Sequence, residues 1–436
     1  MNHQATTRAR RPPFRLRRRA YWRVVALLCV CATLVPVAGY ERGPITSATA
    51  PYRFSVPVWE LDHLPDKWIR RLIETPTGLA RDPGREQRVE DVHEFFAISH
   101  AVRLIEQQLL ELQATAPVTP GITDSIASLE ERRANLVARR EELRPMVEET
   151  LESAIAATLE SLGFRAWTGP FPPVDTVLSA SPTILVTSPR DRIERQDTVT
   201  MRTGLTNEER DRIESHVEGQ TDLSALVLDT GGIALYPSIA IPYAGLDFAL
   251  EVAAHEWVHH WLWFRPLGRR YFQGGDVTTM NETVANIAGR EIGRLARNRL
   301  DRYAPLSPGA HSHDPPVTVG DSSDALPPLN FQEEMRATRL RVDELLAAGQ
   351  VDQAESYMEE RRRELVAHGY RLRRLNQAYF AFHGTYADTG AAGVSIVGQQ
   401  IEELRRRSPT LADFLRTVAE FKTPEDLAEY LDAPGP

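Results

Sequence analysis

The stretch LDFALEVAAHEWVHHWLW, residues 246–263, is the feature that most limits how this chain can fold. It is apolar at most positions around a helix, and yet the two histidines and the glutamate of a His-Glu-x-x-His motif lie within it. A helix that is apolar on every face is buried on every face. A polar group buried without a partner costs roughly 2–7 kcal/mol. The stretch therefore predicts a central core helix whose imidazoles and carboxylate are paired with one another or hold a metal ion.

The spacing of these polar residues favours a metal ion. His255 and His259 are four residues apart, so their rings lie on one face of the helix and can share an ion. Glu256 is rotated from them by about 100° and can reach a water held by that ion. A pair of core histidines satisfied by hydrogen bonds is the alternative interpretation.

A catalytic zinc site has three protein ligands and an open position for water. Glu282 in MNETVAN is the candidate for the third ligand, because it opens a second predicted helix after a segment whose Pro and Gly residues can turn the chain back. We therefore expect Zn²⁺ to be bound by His255, His259 and Glu282. A ligating histidine donates its other N–H to a fixed acceptor. Asn286 and Glu251, each one helical turn from a ligand, are the predicted acceptors for His255.

HEWVH followed by NETVA resembles the signature of the gluzincin metallopeptidases, the group that contains the thermolysin-like enzymes and related aminopeptidases. The resemblance implies a zincin core in which His255, His259 and Glu282 bind zinc and Glu256 is the general base. Asn286 stands where thermolysin-like enzymes often have an aspartate. The group also binds an extended peptide along an edge strand, and GGIALYPSIAI just before the motif is the predicted strand for that role.

A looser similarity is to the bacterial predicted-aminopeptidase family, carried by LNQAYFAFHGTY, residues 375–386. Gln377 stands where that family has a second Asn. The similarity implies a peptide or protein substrate. Tyr386 and His383 are candidates to stabilise the tetrahedral oxyanion, with aromatic packing in the core as the alternative role. GGIALYPS contains no carboxylate to hold a substrate's amino group, so aminopeptidase and endopeptidase both stay open.

The N-terminus has the pattern of a targeting segment. Eight arginines precede the apolar run VVALLCVCATLVPVAGY, residues 24–40, and positive charge before an apolar run keeps the N-terminus in the cytoplasm. The run is near the lower limit of about 17 residues for crossing a bilayer. We expect a signal anchor, with a cleaved signal peptide as the alternative. The catalytic part would then be extracytoplasmic, on a single-pass membrane protein or on a secreted one.

Cysteine and charge content narrow the ligands and partners. Cys29 and Cys31 both lie in the apolar run, so the rest of the chain must hold a metal through His, Asp or Glu. The formal charge is −9, and without the eight leading arginines it is −17. A chain this acidic is a poor partner for nucleic acid, and none is expected.

The pattern along the chain predicts an α+β fold that is mostly helical, with a small mixed sheet beside a two-helix zincin core and long flanking helices. Strands are predicted at TILVTSP (183–189), at DTVTMR (197–202) and twice in SALVLDTGGIALYPSIAI (224–241), around a Thr-Gly-Gly turn. The predicted divisions are 1–40, signal anchor or signal peptide; 41–85, linker and short helix; 86–163, helical hairpin; 164–300, zincin-like catalytic core with the sheet; 301–330, Pro-rich loop; and 331–436, C-terminal helical subdomain.

Three functions are consistent with these features. The leading one is a membrane-anchored, extracytoplasmic zinc-dependent peptidase with Glu256 as general base. A second is a membrane-tethered helical scaffold with a structural or degenerate zinc site, since residues 86–163 are partly coiled-coil in character and offer a surface for self-association. A third is a zinc hydrolase that acts on something other than peptides.

Overall fold

The computed structural model describes residues 43–60, 84–115, 120–166, 169–273, 275–302, 330–384 and 396–433. Contacts within the chain divide it into two units, residues 1–47 and 48–436, and the core and candidate site belong to the second. The apolar run at 24–40, much of the predicted linker at 41–85 and most of the Pro-rich loop at 301–330 lie outside the described residues.

No helix among these described ranges is long and apolar enough to cross a membrane. The most apolar of the long helices, residues 246–263, carries three carboxylates, at Asp247, Glu251 and Glu256. The prediction of a signal anchor, and with it of a transmembrane helix and a single-pass location in the cell membrane, is therefore corrected. It had rested on residues 24–40 alone.

Helices make up most of the described chain, and two small sheets lie among them, which confirms the predicted mostly helical α+β class. The helices are α1 (Pro44–Thr49), α2 (Arg85–Thr115), α3 (Pro120–Ser161), α4 (Asn207–Gln220), α5 (Leu246–Trp263), α6 (Pro266–Arg269), α7 (Gly275–Asp301), α8 (Phe331–Ala347), α9 (Val351–Ala367), α10 (Gln377–His383), α11 (Ile396–Arg407), α12 (Leu411–Val418) and α13 (Pro424–Asp432). Single 3-10 turns span Ala50–Tyr52, Pro242–Ala244 and Tyr271–Gln273.

The strands form two three-stranded sheets rather than the one expected. They are β1 (Thr176–Leu178), β2 (Thr183–Pro189), β3 (Thr198–Met201), β4 (Leu223–Asp229), β5 (Gly232–Ile233) and β6 (Ser238–Ala240). An antiparallel sheet has the order β3-β2-β4, and a mixed sheet has the order β1-β6-β5, with β1 parallel and β5 antiparallel to β6. Strands lie on both sides of the Thr-Gly-Gly turn, as predicted, but they belong to different sheets, because β4 pairs with β2 whereas β5 pairs with β6.

Two buried carboxylates of α3 hold the mixed sheet. Glu152 accepts the backbone N–H of Thr176 and Glu148 accepts that of Leu178, each at 2.8 Å. Residues two apart in a strand are separated by about 6.6 Å, and residues four apart on a helix rise by about 6 Å. One helical turn of α3 therefore matches one pleat of β1, and both outward-facing N–H groups are satisfied.

The helices α2 and α3 pack side by side and run in opposite directions. Arg139 makes two hydrogen bonds to Glu94, at 2.8 and 3.0 Å, and Arg88 lies 3.6 Å from Glu149. Their apolar faces contribute to the same core cluster as α5 and α7. The helix pair is thus part of the main core.

The helix α10 covers one side of the antiparallel sheet. Ala378 and Phe382 pack on Ile184, Val186 and Leu226 of that sheet. At the helix N-terminus the Asn376 side chain caps α10 and donates to the carbonyl oxygen of Ala225 at 2.9 Å. These contacts fix α10 against the same sheet whose β2–β3 loop faces the candidate site.

Candidate metal centre

The helix α5 is the central core helix that its composition predicts. Eleven of its 18 residues are buried, among them Glu256. Trp257 is 1% exposed and its indole N–H donates to the carbonyl oxygen of Pro172 at 2.7 Å. The indole N–H is thus satisfied at the core side, while the two histidines lie on another face of the helix.

Glycines of α7 allow that helix to approach α5 closely. A Cβ atom added at Gly289 would lie 2.9 Å from the Cβ of His255, and one added at Gly293 would lie 2.9 Å from the Cα of Glu251. Contacts this short do not occur between real side chains, so only glycine fits at either position. The close approach brings Glu282, on the same helix, beside the histidines.

Three side-chain atoms converge at this point. The Nε2 atoms of His255 and His259 lie 3.0 Å apart, and the Oε2 atom of Glu282 lies 3.6 and 3.5 Å from them, respectively. A tetrahedral zinc ion with ligands at about 2.0–2.1 Å separates its ligand atoms by about 3.3 Å. Oε2 of Glu282 is buried and has no hydrogen-bond partner. Its position and its unsatisfied state both fit a ligand to a cation.

His255, Glu256 and His259 form a group that could hold a metal ion, with one ligand atom from each within 4.8 Å of the others. The Oε2 atom of Glu282 lies within the same distance of both imidazole Nε2 atoms. Two carboxylates therefore flank the histidine pair, one on the same helix and one on α7.

Glu256 is a buried carboxyl group, 6% exposed. Burial raises its pKa above the ordinary value, and the neighbouring histidines counteract part of that rise. The glycine of β5 lies directly against it, since a Cβ atom added at Gly232 would be 2.8 Å from Oε1 of Glu256. The edge of the mixed sheet is thus in contact with the carboxyl group.

The fixed acceptor for a histidine is Asn281, which the sequence reasoning missed. The Nδ1 atom of His259 lies 3.1 Å from the Oδ1 atom of Asn281, whose Nδ2 donates to the carbonyl oxygen of Leu267 at 3.4 Å. That second bond orients the amide so that its oxygen faces the imidazole. Nδ1 of His259 then donates to Asn281, and its Nε2 faces His255 and Glu282. The roles predicted for Asn286 and Glu251 toward His255 stay predictions.

Tyr271 is a second residue that sequence reasoning did not find. Its hydroxyl donates to Oε1 of Glu282, and its ring lies 5.7 Å from that of His259. Burial and the Glu282 carboxylate raise the pKa of Tyr271 well above 10, so the phenol remains a donor at neutral pH. The bond holds Glu282 with its other oxygen directed at the histidines. No motif marks this tyrosine, because it lies in the turn between α6 and α7.

The charges of the buried group are coupled. Burial opposes a charge on His259, but the Glu282 carboxylate outweighs it and raises the pKa of His259 to about 9. Burial likewise opposes a charge on Glu282, and the two histidines hold its pKa well below the usual value. The carboxylate thus favours positive charge at the histidine pair, and this group could hold a metal ion.

The predicted oxyanion donors are only partly described. Tyr386 lies outside the described residues. His383 ends α10, with its ring 4.2 Å from that of Tyr379 and 5.1 Å from that of Phe382. Burial lowers the pKa of His383 to about 4, so the imidazole is neutral at pH 7. Its catalytic role stays a prediction.

A cavity of about 560 Å³ adjoins the metal centre. Four parts of the chain form its walls: the segment from Ile193 to Thr200, the segment from Tyr271 to Thr279, Arg339 of α8, and the C-terminal part of α10. Tyr271 belongs to the cavity wall and to the metal centre at once. The volume of this cavity lies within the range of about 300–1,000 Å³ that is usual for small-ligand sites.

No family model, no curated protein and no solved structure matches this chain. The resemblance to the gluzincin metallopeptidases and the looser one to the bacterial predicted-aminopeptidase family therefore stay predictions from the motif residues.

Proposed function

We propose that this protein is a zinc-dependent peptidase of the gluzincin type. The observation that carries the proposal is the convergence of His255, His259 and the unsatisfied carboxylate oxygen of Glu282, with the buried carboxyl group of Glu256 beside them. A structural ion would need no further acid next to its ligands, whereas a hydrolytic one needs a general base.

The donor set supports zinc over other common metals. Two imidazoles and one carboxylate are the ligands of many catalytic zinc sites, while calcium and magnesium prefer oxygen ligands alone. His255, His259 and Glu282 would hold the ion, Asn281 would fix the tautomer of His259, and Tyr271 would fix the carboxylate of Glu282. Each of these contacts is of the supporting kind that tunes metal affinity.

The proposed chemistry divides the work between the ion and Glu256. When bound, zinc supplies a Lewis acid that polarises the scissile carbonyl group and acidifies a water. Glu256 accepts the proton of that attacking water and passes it to the leaving nitrogen. The raised pKa of Glu256 suits both tasks, because an acid that is too strong would hold no proton to return.

An extended substrate would bind along β5. This strand pairs with β6 on one side, with Gly232 opposite Ala240 and Ile233 opposite Ile239. No strand pairs with its other side in the described part of the chain. A peptide that adds to this open edge would lie against Glu256, because Gly232 contacts that carboxyl group.

Metal analysis and hydrolysis together test the proposal. We expect about one zinc ion per chain in the purified protein, as measured by elemental mass spectrometry, and much less in Glu282→Gln. We expect Glu256→Gln to retain zinc and to lose at least 100-fold of the hydrolysis of a peptide library. A chain that takes up no zinc after reconstitution would overturn the proposal.

The same measurements separate the two alternatives. A scaffold with a structural ion would keep zinc and show no hydrolysis in either form. A hydrolase with another substrate would leave the peptide library intact and cleave ester or amide compounds in a Glu256-dependent way. N-acetylated and free peptides distinguish an endopeptidase from an aminopeptidase.

A further inference from the structure

The cavity beside the metal centre carries an arginine that the proposed chemistry does not use. Four charged residues line the cavity, namely Glu194, Arg195, Asp276 and Arg339. Two of them have ion-pair partners outside it: Glu194 lies 2.6 Å from Arg192, and Arg339 lies 2.8 Å from Asp343. Their charges are thus compensated within the protein.

Arg195 differs from these two. Its Nε donates to the hydroxyl of Thr198 at 2.9 Å, and its guanidinium lies over the ring of Phe382 with its carbon 5.6 Å from the ring centre. No carboxylate pairs with it among the described residues. The hydroxyl and the ring hold the side chain in place while leaving the donors on its two terminal nitrogens for another group. A guanidinium presents those donors in a planar fork that matches a carboxylate.

The position of Arg195 relates it to the metal centre. Arg195 and Tyr271 line the same cavity from two different segments, and the hydroxyl of Tyr271 bonds to Glu282. Thr278 and Thr279, on the opposite wall, precede Glu282 by one turn of α7. A ligand in the cavity is therefore separated from the proposed zinc ligand Glu282 by Tyr271, or by one turn of α7.

We propose that Arg195 binds a carboxylate of the substrate, and that this cavity selects acidic peptides: those whose C-terminal carboxylate or acidic side chain reaches it from the scissile bond. The inference rests on the proposed peptidase function. The carboxylate faces Arg195 rather than the α7 wall, because Asp276 on that wall would repel it. Lysine in place of Arg195 keeps the charge and loses the planar fork, so it restores binding only in part.

Direct binding tests this assignment without relying on hydrolysis. Four probes are titrated calorimetrically into the full-length Glu256→Gln protein loaded with zinc: acetyl-Ala-Ala-Ala with a free carboxylate, its C-terminal amide, and the amides of acetyl-Ala-Glu-Ala and acetyl-Ala-Gln-Ala. We expect at least one carboxylate probe to bind ten-fold or more tightly than its neutral counterpart. The first pair reports on a terminal carboxylate, and the second pair reports on an acidic side chain.

The same titrations are repeated after Arg195→Gln, Arg195→Lys and the control Arg341→Gln. Arg341 is exposed and pairs with Glu344, and neither of these two residues lines the cavity. We expect the preference to vanish in Arg195→Gln, to survive in part in Arg195→Lys, and to be unchanged in Arg341→Gln. Equal binding of charged and neutral probes, a preference that survives Arg195→Gln, or no binding at millimolar concentration would each overturn the assignment. Arg195-dependent binding to a zinc-loaded parent protein that hydrolyses no peptide would instead leave the carboxylate site standing and refute the peptidase function.

Discussion

The close approach of α7 to α5 predicts that Gly289→Ala weakens zinc binding. The added Cβ would lie 2.9 Å from the Cβ and 3.1 Å from the Cα of His255, whereas ordinary van der Waals contact begins at 3.4 Å. The helices must therefore separate by about 0.5 Å. Metal–ligand distances tolerate about 0.2 Å of error. Glu282 moves with α7, so its oxygen becomes too distant from an ion that both histidines bind. We therefore expect zinc affinity to fall at least ten-fold.

The effect on folding is a balance of two terms. Alanine in a helix interior is favoured over glycine by about 1 kcal/mol, while overpacking a tight contact costs about 1–3 kcal/mol. The contact here is to main chain and Cβ, which cannot turn away, so the cost exceeds the gain. We expect the free energy of unfolding of the metal-free protein to fall by about 1 kcal/mol.

The control for this experiment is Gly219→Ala. Gly219 lies in α4 and an added Cβ would contact nothing within 4 Å. This variant should be as stable as the parent or more so, with unchanged zinc affinity. Zinc affinity is measured by competition with a chromophoric chelator, and stability by urea denaturation. A Gly289→Ala protein that binds zinc within two-fold of the parent would refute the idea that helix spacing sets the ligand geometry.

Three further predictions concern the contacts around the centre. Asn281→Leu removes the acceptor that fixes His259, and zinc affinity should fall about 10–100-fold by chelator competition, with little change in fold by circular dichroism. Tyr271→Phe removes the donor to Glu282, and zinc affinity should fall about ten-fold; an unchanged affinity would show that the phenol does not position the carboxylate. Burial holds the pKa of His383 at about 4, below its ordinary 6.5, so the unfolded chain binds the proton more tightly. Stability is therefore full above pH 6.5 and falls by up to about 3 kcal/mol as pH approaches 4, and His383→Gln should flatten that decline in urea titrations at each pH.

The parts of the site that could be predicted from the sequence are those that depend on the spacing of residues within one helix or strand. Apolar residues on nearly every face of α5 predict a buried helix, the four-residue spacing places His255 and His259 on one face, and the helix that carries Glu282 is predicted from its own pattern. The structure brings all three side chains together. Strand β2 was predicted at its observed bounds, Thr183–Pro189, because an apolar run with β-branched residues needs no tertiary information.

The parts that could not be predicted depend on contacts between distant segments. Tyr271 lies in a turn, and only the packing of that turn on α7 brings its hydroxyl to Glu282. Asn281 directly precedes a predicted ligand, but spacing along a helix favours residues one turn away, as in the expectation for Asn286. Gly289 and Gly293 are ordinary helix residues until the neighbouring helix is known. The sequence predicts a strand on each side of the Thr-Gly-Gly turn, but the division of these strands between two sheets depends on which distant strand each one pairs with.

The carboxylates that α3 presents to β1 also bear on which edge of the mixed sheet can accept another strand. An exposed edge of a sheet is a template for strands of other chains, and buried charge at an edge is one of the devices that prevents such pairing. Glu148 and Glu152 occupy the outward N–H groups of β1 with negative charge, so an incoming strand meets no free donors at Leu178 or Thr176. The two edges of the mixed sheet therefore differ in their ability to pair with a strand from another chain. Its α3 side is closed to intermolecular strand addition, and recruitment of an extended chain is confined to the side that faces Glu256.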